Sequence, residues 1–147
     1  MYRNRFNPLS ICIMDPHGNE IVTKRMDGCP PMVYSKISHA KANTCVSTKL
    51  SSRAYGDKYL NFKGPEVGPS TFVRVLNQIS SANGDLACFQ GGILVRDKQG
   101  DIVGSVGVSG AAGDEDEYCA LMGVKLCSAS DQLVTEPENH SCKTVKE

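Results

Sequence analysis

Two apolar runs near the middle of the chain set its pattern. The first is Gly91-Gly92-Ile93-Leu94-Val95-Arg96-Asp97, and the second is Ile102-Val103-Gly104-Ser105-Val106-Gly107-Val108-Ser109-Gly110. They read as two strands joined by a polar glycine turn at Gly100, the second leading through a glycine-rich corner into a helix that opens on acids, Gly113-Asp114-Glu115-Asp116-Glu117. Upstream, Leu9 to Met14 and Ile21 to Met26 flank the reverse-turn composition Asp15-Pro16-His17-Gly18-Asn19, which predicts an antiparallel hairpin. After the breaker Asp27-Gly28-Cys29-Pro30-Pro31, small or apolar residues recur at helical spacing at Val33, Ile37, Ala40, Thr44 and Cys45, in a helix expected to end near Ser51.

The remaining segments are weaker. Ser52 to Pro69 holds three glycines and two prolines without a sustained period and reads as a long loop. Ser70 and Thr71 are in place to cap a short helix carrying Phe72, Val75, Leu76 and Ile79, which Asn83-Gly84 ends. Leu86 to Phe89 reads as a strand edge, and the last helix is expected from about Glu115 to Ser128. From Ser130 the sequence is polar and aperiodic, the composition of a tail without structure. In the second central strand, alternation puts Ile102, Val106 and Val108 on one face and Val103, Ser105, Gly107 and Ser109 on the other. The second face is small enough for a helix, a subunit or a flat ligand to approach the backbone closely.

Composition narrows the function. With 147 residues and 40% apolar side chains, the chain suits one compact domain. Lys plus Arg and Asp plus Glu each number 16, so no basic field invites nucleic acid, and near-zero net charge lowers a barrier to self-association. The seven cysteines are odd in number and lack zinc-ligand spacing, which favours reduced thiols. With neither a secretory leader nor a membrane-length apolar run, a cytoplasmic location is expected.

Several of these features occur together: Asp27-Gly28-Cys29-Pro30 after a hairpin, Lys41-Ala42 in the first helix, Gly91-Gly92 opening a strand, and Val103 to Gly110 followed by Asp116-Glu117. In this the chain resembles the GlcG/HbpS family, which includes haem-binding proteins and the C-terminal domain of PduO-type corrinoid adenosyltransferases, over roughly Ile11 to Met122. The resemblance implies an α+β, profilin-like or PAS-like architecture, an antiparallel sheet of about five strands with helices packed on it, assembled into homo-oligomers. It also implies haem or a related tetrapyrrole as ligand. The domain is expected over residues 1–129, with 130–147 as the tail. Two departures stand out: only about eight residues precede the first strand, so the family's leading helix is short or absent, and Gln90 stands where the family usually has Pro.

The candidate chemistry follows. A haem iron needs an axial His, Tyr, Cys or Met beside an apolar slot; His17, His39 and Cys29, the last in a Cys-Pro pair, are the iron candidates, each with an ordinary reading as a turn or surface residue. Lys41, Asp116 and Glu117 fall on the family motif and form the candidate acid–base set, with Asp116 paired to Lys41. The same acids are equally suited to the helix N-terminus they occupy. Asp27, Gly91, Gly92, Ser109 and Gly110 complete the candidate ligand-binding residues, the corner amides offering a cradle for a carboxylate or phosphate. No Walker or dinucleotide spacing is present, no zinc site is evident, and Ser109 lacks a nucleophile-elbow frame. Two function classes result: a binding module for haem or a related tetrapyrrole at a subunit boundary, or an enzyme acting on a small carboxylate- or carbonyl-bearing substrate. A ligand-free assembly subunit is a weaker third.

Overall fold

The computed structural model describes residues 6–30, 33–60 and 68–145. Its centre is a five-stranded antiparallel sheet of β1 (Ser10–Met14), β2 (Glu20–Arg25), β3 (Gly92–Asp97), β4 (Ile102–Ser109) and β5 (Leu133–Glu136), in the order β2-β1-β4-β3-β5. Helices α1 (Val33–Thr48), α2 (Ser52–Leu60), α3 (Pro69–Ser81) and α4 (Gly113–Lys125) pack around it. The α+β architecture is the one expected. No described helix is long and apolar enough to cross a membrane.

The two faces of the sheet differ in chemistry. On one, Ser10, Cys12 and Met14 of β1 and Ser105 and Gly107 of β4 lie beneath α1. The approach is close because the residues are small. A Cβ on Gly107 would collide with the carbonyl of Ser38 and sit 2.6 Å from the amide nitrogen of Ala42. Hydroxyls close the polar gaps, with Ser105 Oγ donating to the Ala42 carbonyl at 2.9 Å and Ser10 Oγ lying 3.2 Å from Ser38 Oγ. The small face of β4 thus serves helix packing. On the other face, α4 covers Ile93, Val95 and Val108 with Ala120 and Leu121, while Ile11 and Val106 are only half covered.

Alternation fails at two predicted positions, Val103 and Ile102, the latter set opposite Arg96 and therefore on the α1 face. The β3–β4 register runs from Val95 opposite Gly104 to Arg96 opposite Ile102, so Val103 is the extra residue of a β-bulge. Gly104, at φ 156, accepts the irregular backbone that follows, and its missing Cβ makes room for the Met14 carbonyl. Val103 therefore joins Val106 and Val108 instead of the small face.

Other expectations are corrected. Ser52–Pro69 is not all loop: it carries α2, whose Tyr55 packs edge-on against Tyr59 at 5.1 Å and donates to Gln78 of α3 at 2.7 Å. Tertiary aromatic packing overrides a segment rich in Gly; residues 61–67 lie outside the described residues. Gly68 and Pro69, rather than Ser70 and Thr71, open α3, with Pro at a position where the missing amide costs nothing. Phe72 and Leu76 of its apolar stripe stay about half exposed, and only Val75 is buried. Leu86–Phe89 forms no strand; the Ala87 amide donates instead to Thr44 Oγ1 at 2.7 Å. The last helix ends at Lys125.

The region after Ser130 differs most. It adds β5 to the free edge of β3, pairing Leu94 through Asp97 with Glu136 through Leu133, and Cys142 is buried. A four-residue strand on a preformed edge draws its order from the neighbour's hydrogen bonds and needs little periodicity of its own. Ahead of β1, residues 6–9 form no helix, and residues 1–5 lie outside the described residues.

If close α1 packing sets the architecture, Gly107→Val will lower the unfolding free energy by about 3 kcal/mol or more. Urea denaturation measures it; a change within error would show that α1 can lift from β4 freely.

Candidate functional site

A buried ion pair lies where α1, β4 and α4 meet. Lys41 and Asp116 are 3% and 2% exposed, and Lys41 Nζ donates to Asp116 Oδ2 at 2.7 Å and to the Val108 carbonyl at 2.8 Å. The other oxygen, Asp116 Oδ1, accepts the Ala111 amide at 3.0 Å. Gly91 leaves space for this pair: a Cβ there would stand 2.7 Å from Lys41 Nζ and 2.8 Å from Asp116 Cβ. Burial pulls the Lys41 pKa down and pushes that of Asp116 up, each opposed by the partner's charge. Its dense hydrogen bonding and close contact hold the pair as an ion pair tying α4 to α1.

The expected pairing of Lys41 with Asp116 is present, and Gly91, Gly92 and Ser109 are near neighbours in the fold. A Cβ on Gly92 would meet the Lys41 carbonyl at 2.5 Å; Ser109 is 3% exposed; and Gly110 backs onto the Pro8 carbonyl. The corner amides are occupied from within, Ala111 by Asp116 and Ala112 by Glu115 Oε2 at 3.2 Å, so the chain's own carboxylates sit where an external anion was expected. Glu117 points elsewhere. Fully buried, it lies with Oε2 3.0 Å from Arg53 Nε and accepts the Ser141 amide at 2.7 Å, clamping the segment after β5.

The iron candidates are dispersed. His17 is exposed in the β1–β2 turn, where its amide donates to Asp15 Oδ1 at 2.8 Å. Asp27 is exposed in the turn after β2, and Cys29 beside it is 2% exposed, with its thiol directed at the Pro30 carbonyl. His39 is half-buried on α1, with Nδ1 2.8 Å from Asp85 Oδ1 and Nε2 3.8 Å from Glu20 Oε2, beside a cleft lined by Thr23, Ser35, Lys36 and Asn83.

A site of different chemistry lies on the opposite face of the sheet. There a groove of about 430 Å³ has a floor of Ile11, Ile13, Val106 and Val108 and a wall of Cys119, Gly123 and Cys127 at four-residue spacing on and just after α4. Two bulges extend its rim. In the β1–β2 register Ile13 faces Val22 and Met14 faces Glu20, so Ile21 is the extra residue, as Val103 is in β4. Both line the groove, and they are 65% and 41% exposed. A Cβ on Gly123 would meet nothing within 4 Å, so the wall has room at its centre. Burial raises the Cys119 thiol to about 11, which keeps it protonated, while Cys127 is exposed. The four-residue spacing from Cys119 was readable in the sequence; the bulges, which depend on strand register, were not.

The family model described as haem degrading protein HbpS-like matches residues 1–125, and the chain belongs to that family. No curated protein matches it. Among solved structures, it is 26% identical to the PduOC–haem complex, with a TM-score of 0.60 over 78% of this chain and 74% of that one. It is 27% identical to a double mutant of Streptomyces reticuli HbpS, with a TM-score of 0.58 over 78% and 67% of the two chains. Klebsiella pneumoniae ORFY, at 21% identity and a TM-score of 0.63 over 78% and 70%, shares the fold.

Two outcomes follow from the charged pair and the thiols. Lys41→Met or Asp116→Leu alone strands a buried charge and will cost about 3–5 kcal/mol, whereas the double variant will recover much of the loss; equal or additive losses in a urea cycle would remove the pair from the core's account. Burial raises Cys12, Cys45, Cys88 and Cys119 above the ordinary 9.0. The folded chain therefore holds these protons where the unfolded chain releases them, so stability will fall as pH rises above 9.0 towards the raised folded values. Urea midpoints across that range check the sign.

Proposed function

We propose that this protein binds haem or a related tetrapyrrole in the apolar groove between the sheet and α4, and does so as a homo-oligomer. The observation that carries the reading is the groove itself: about 430 Å³ over a floor of branched aliphatic residues, with open space at Gly123 and an exposed thiol at Cys127. Its lining fits the apolar part of a porphyrin, and Cys127 is the residue there that would ligate an iron. Haem would supply redox and ligand-binding chemistry at that iron; the chain's own residues exclude water from the macrocycle and present the thiol. Lys24, whose register partner is Ile11, stands on the groove's face at the sheet edge, where a cation suits propionate. Membership of an HbpS-like family and similarity to a haem complex support the same ligand class.

The acid–base alternative gains less from the geometry, since Lys41 and Asp116 engage each other and neighbouring backbone in the interior. The assembly part of the reading draws on zero formal net charge and on exposed apolar residues, Ile21, Phe72 and Leu76 among them.

Hemin titration tests the proposal. A saturable Soret change is expected at one haem per subunit or per pair of subunits. Gly123→Phe, which fills the groove from a position with room for a side chain, will abolish it without lowering the melting temperature, and Cys127→Ala will shift the band. Saturable binding unaffected by Gly123→Phe but lost in His39→Ala would move the site to the cleft beside α1; a featureless, non-saturating response would overturn the tetrapyrrole reading.

A further inference from the structure

β2 forms one edge of the sheet, and five of its six residues are exposed. The opposite edge, β5, is four residues long and is followed by Pro137. An exposed edge strand presents unpaired amides and carbonyls and is a template for another strand unless charges deter pairing. The charges on β2, Glu20 at one end and Lys24 and Arg25 at the other, are arranged to deter a parallel neighbour and to accept an antiparallel copy of the same strand.

We infer that β2 is the surface on which two copies of this chain join, strand β2 against strand β2, antiparallel about a two-fold axis at Thr23. The inference rests on the homo-oligomeric part of the reading above and is independent of the ligand. The register follows from side-chain faces. Glu20, Thr23 and Arg25 pair with Met14, Cys12 and Ser10 on the α1 face, whereas Val22 and Lys24 pair with Ile13 and Ile11 on the groove face, with Ile21 as the bulged residue. With the Ile21–Val22 bulge taken as one position, a two-fold axis at Thr23 sets Glu20 of each copy against Arg25 of the other on the α1 face. On the groove face it sets Lys24 against the other copy's bulge. Every opposed pair then lies on one side of the joint sheet, and the two opposite-charge contacts are made together.

The neighbouring groups fit this arrangement. Arg25 Nη1 donates to the Cys29 carbonyl, which holds the guanidinium beside the edge, and Glu20 carries its carboxylate 3.8 Å from His39 Nε2 on the same face. Ile21, 65% exposed in one copy, would be covered by the aliphatic stem of the second copy's Lys24, whose ammonium stays in water. The two grooves would then lie on one continuous face of a ten-stranded sheet, each completed at its β2 rim by the neighbour.

Light scattering on the wild type and three charge variants tests the interface. The wild type is expected as a dimer or a multiple of it. Glu20→Arg or Arg25→Glu alone places like charges opposite each other at both ends of the joint and will weaken association by about tenfold or more. Glu20→Arg combined with Arg25→Glu will restore it, a rescue that a damaged monomer fold would not show. Circular dichroism melts confirm that all variants fold. A monomeric wild type would overturn both the homo-oligomeric reading and this interface; an oligomer indifferent to the single reversals, or unrescued by the double one, would overturn the interface alone.

Discussion

The close approach of α1 to the glycine and serine face of the sheet is the constraint from which the rest of the structure follows. With Gly107 beneath it, the helix lies near enough for Ser105 to reach its backbone and for Lys41 to reach past β4. Only at that depth does the ammonium meet Asp116 at the start of α4, so one packing distance fixes the helix on each side of the sheet. A charged pair this deep is a poor source of net stability, because desolvation offsets most of its attraction. Its physical value is directional: it rewards a single placement of the α4 N-terminus, which apolar packing alone would leave less sharply defined.

The two faces thereby divide the work. The α1 face is small, polar and closed by hydroxyl contacts, a surface for packing. The α4 face is aliphatic and only partly covered, because α4 runs over β3 and β4 and leaves the β1–β2 side open. The bulges at Ile21 and Val103 sit along that open side, each adding an apolar residue that regular alternation would not supply. The groove proposed for a tetrapyrrole thus lies on the less complete side of the sheet, away from the Lys41–Asp116 pair.

Much of the fold was legible because it rests on local patterns: the hairpin around Asp15–Asn19, the small-residue stripe of α1, the two central strands and the acid-opened α4. The Lys41–Asp116 contact was legible through the family motif. What could not be read depends on partners distant in sequence. β5 has no pattern of its own and exists because β3 offers an edge; α2 is held by aromatic contacts with its own turn and α3; Val103 changes face because of register. The groove was missed for the same reason, since its lining is assembled from five strands and a helix, and motif reasoning drew attention to His17, Cys29 and His39 instead.

The sheet order has a kinetic side. β1 lies at the sheet's interior between β2 and β4, yet its β4 partner stands far along the chain, Ser10 beside Ser109. Pairing so remote closes a long loop before it gains any contact, which slows folding and prolongs the life of partly formed states. Until β4 arrives, the β1–β2 hairpin lacks the second partner strand of β1, although an isolated hairpin is marginal in water. During synthesis the β4-facing edge of β1 therefore stays open for an interval, and the charges of Glu20, Lys24 and Arg25 on the neighbouring β2 are gatekeepers against aggregation there.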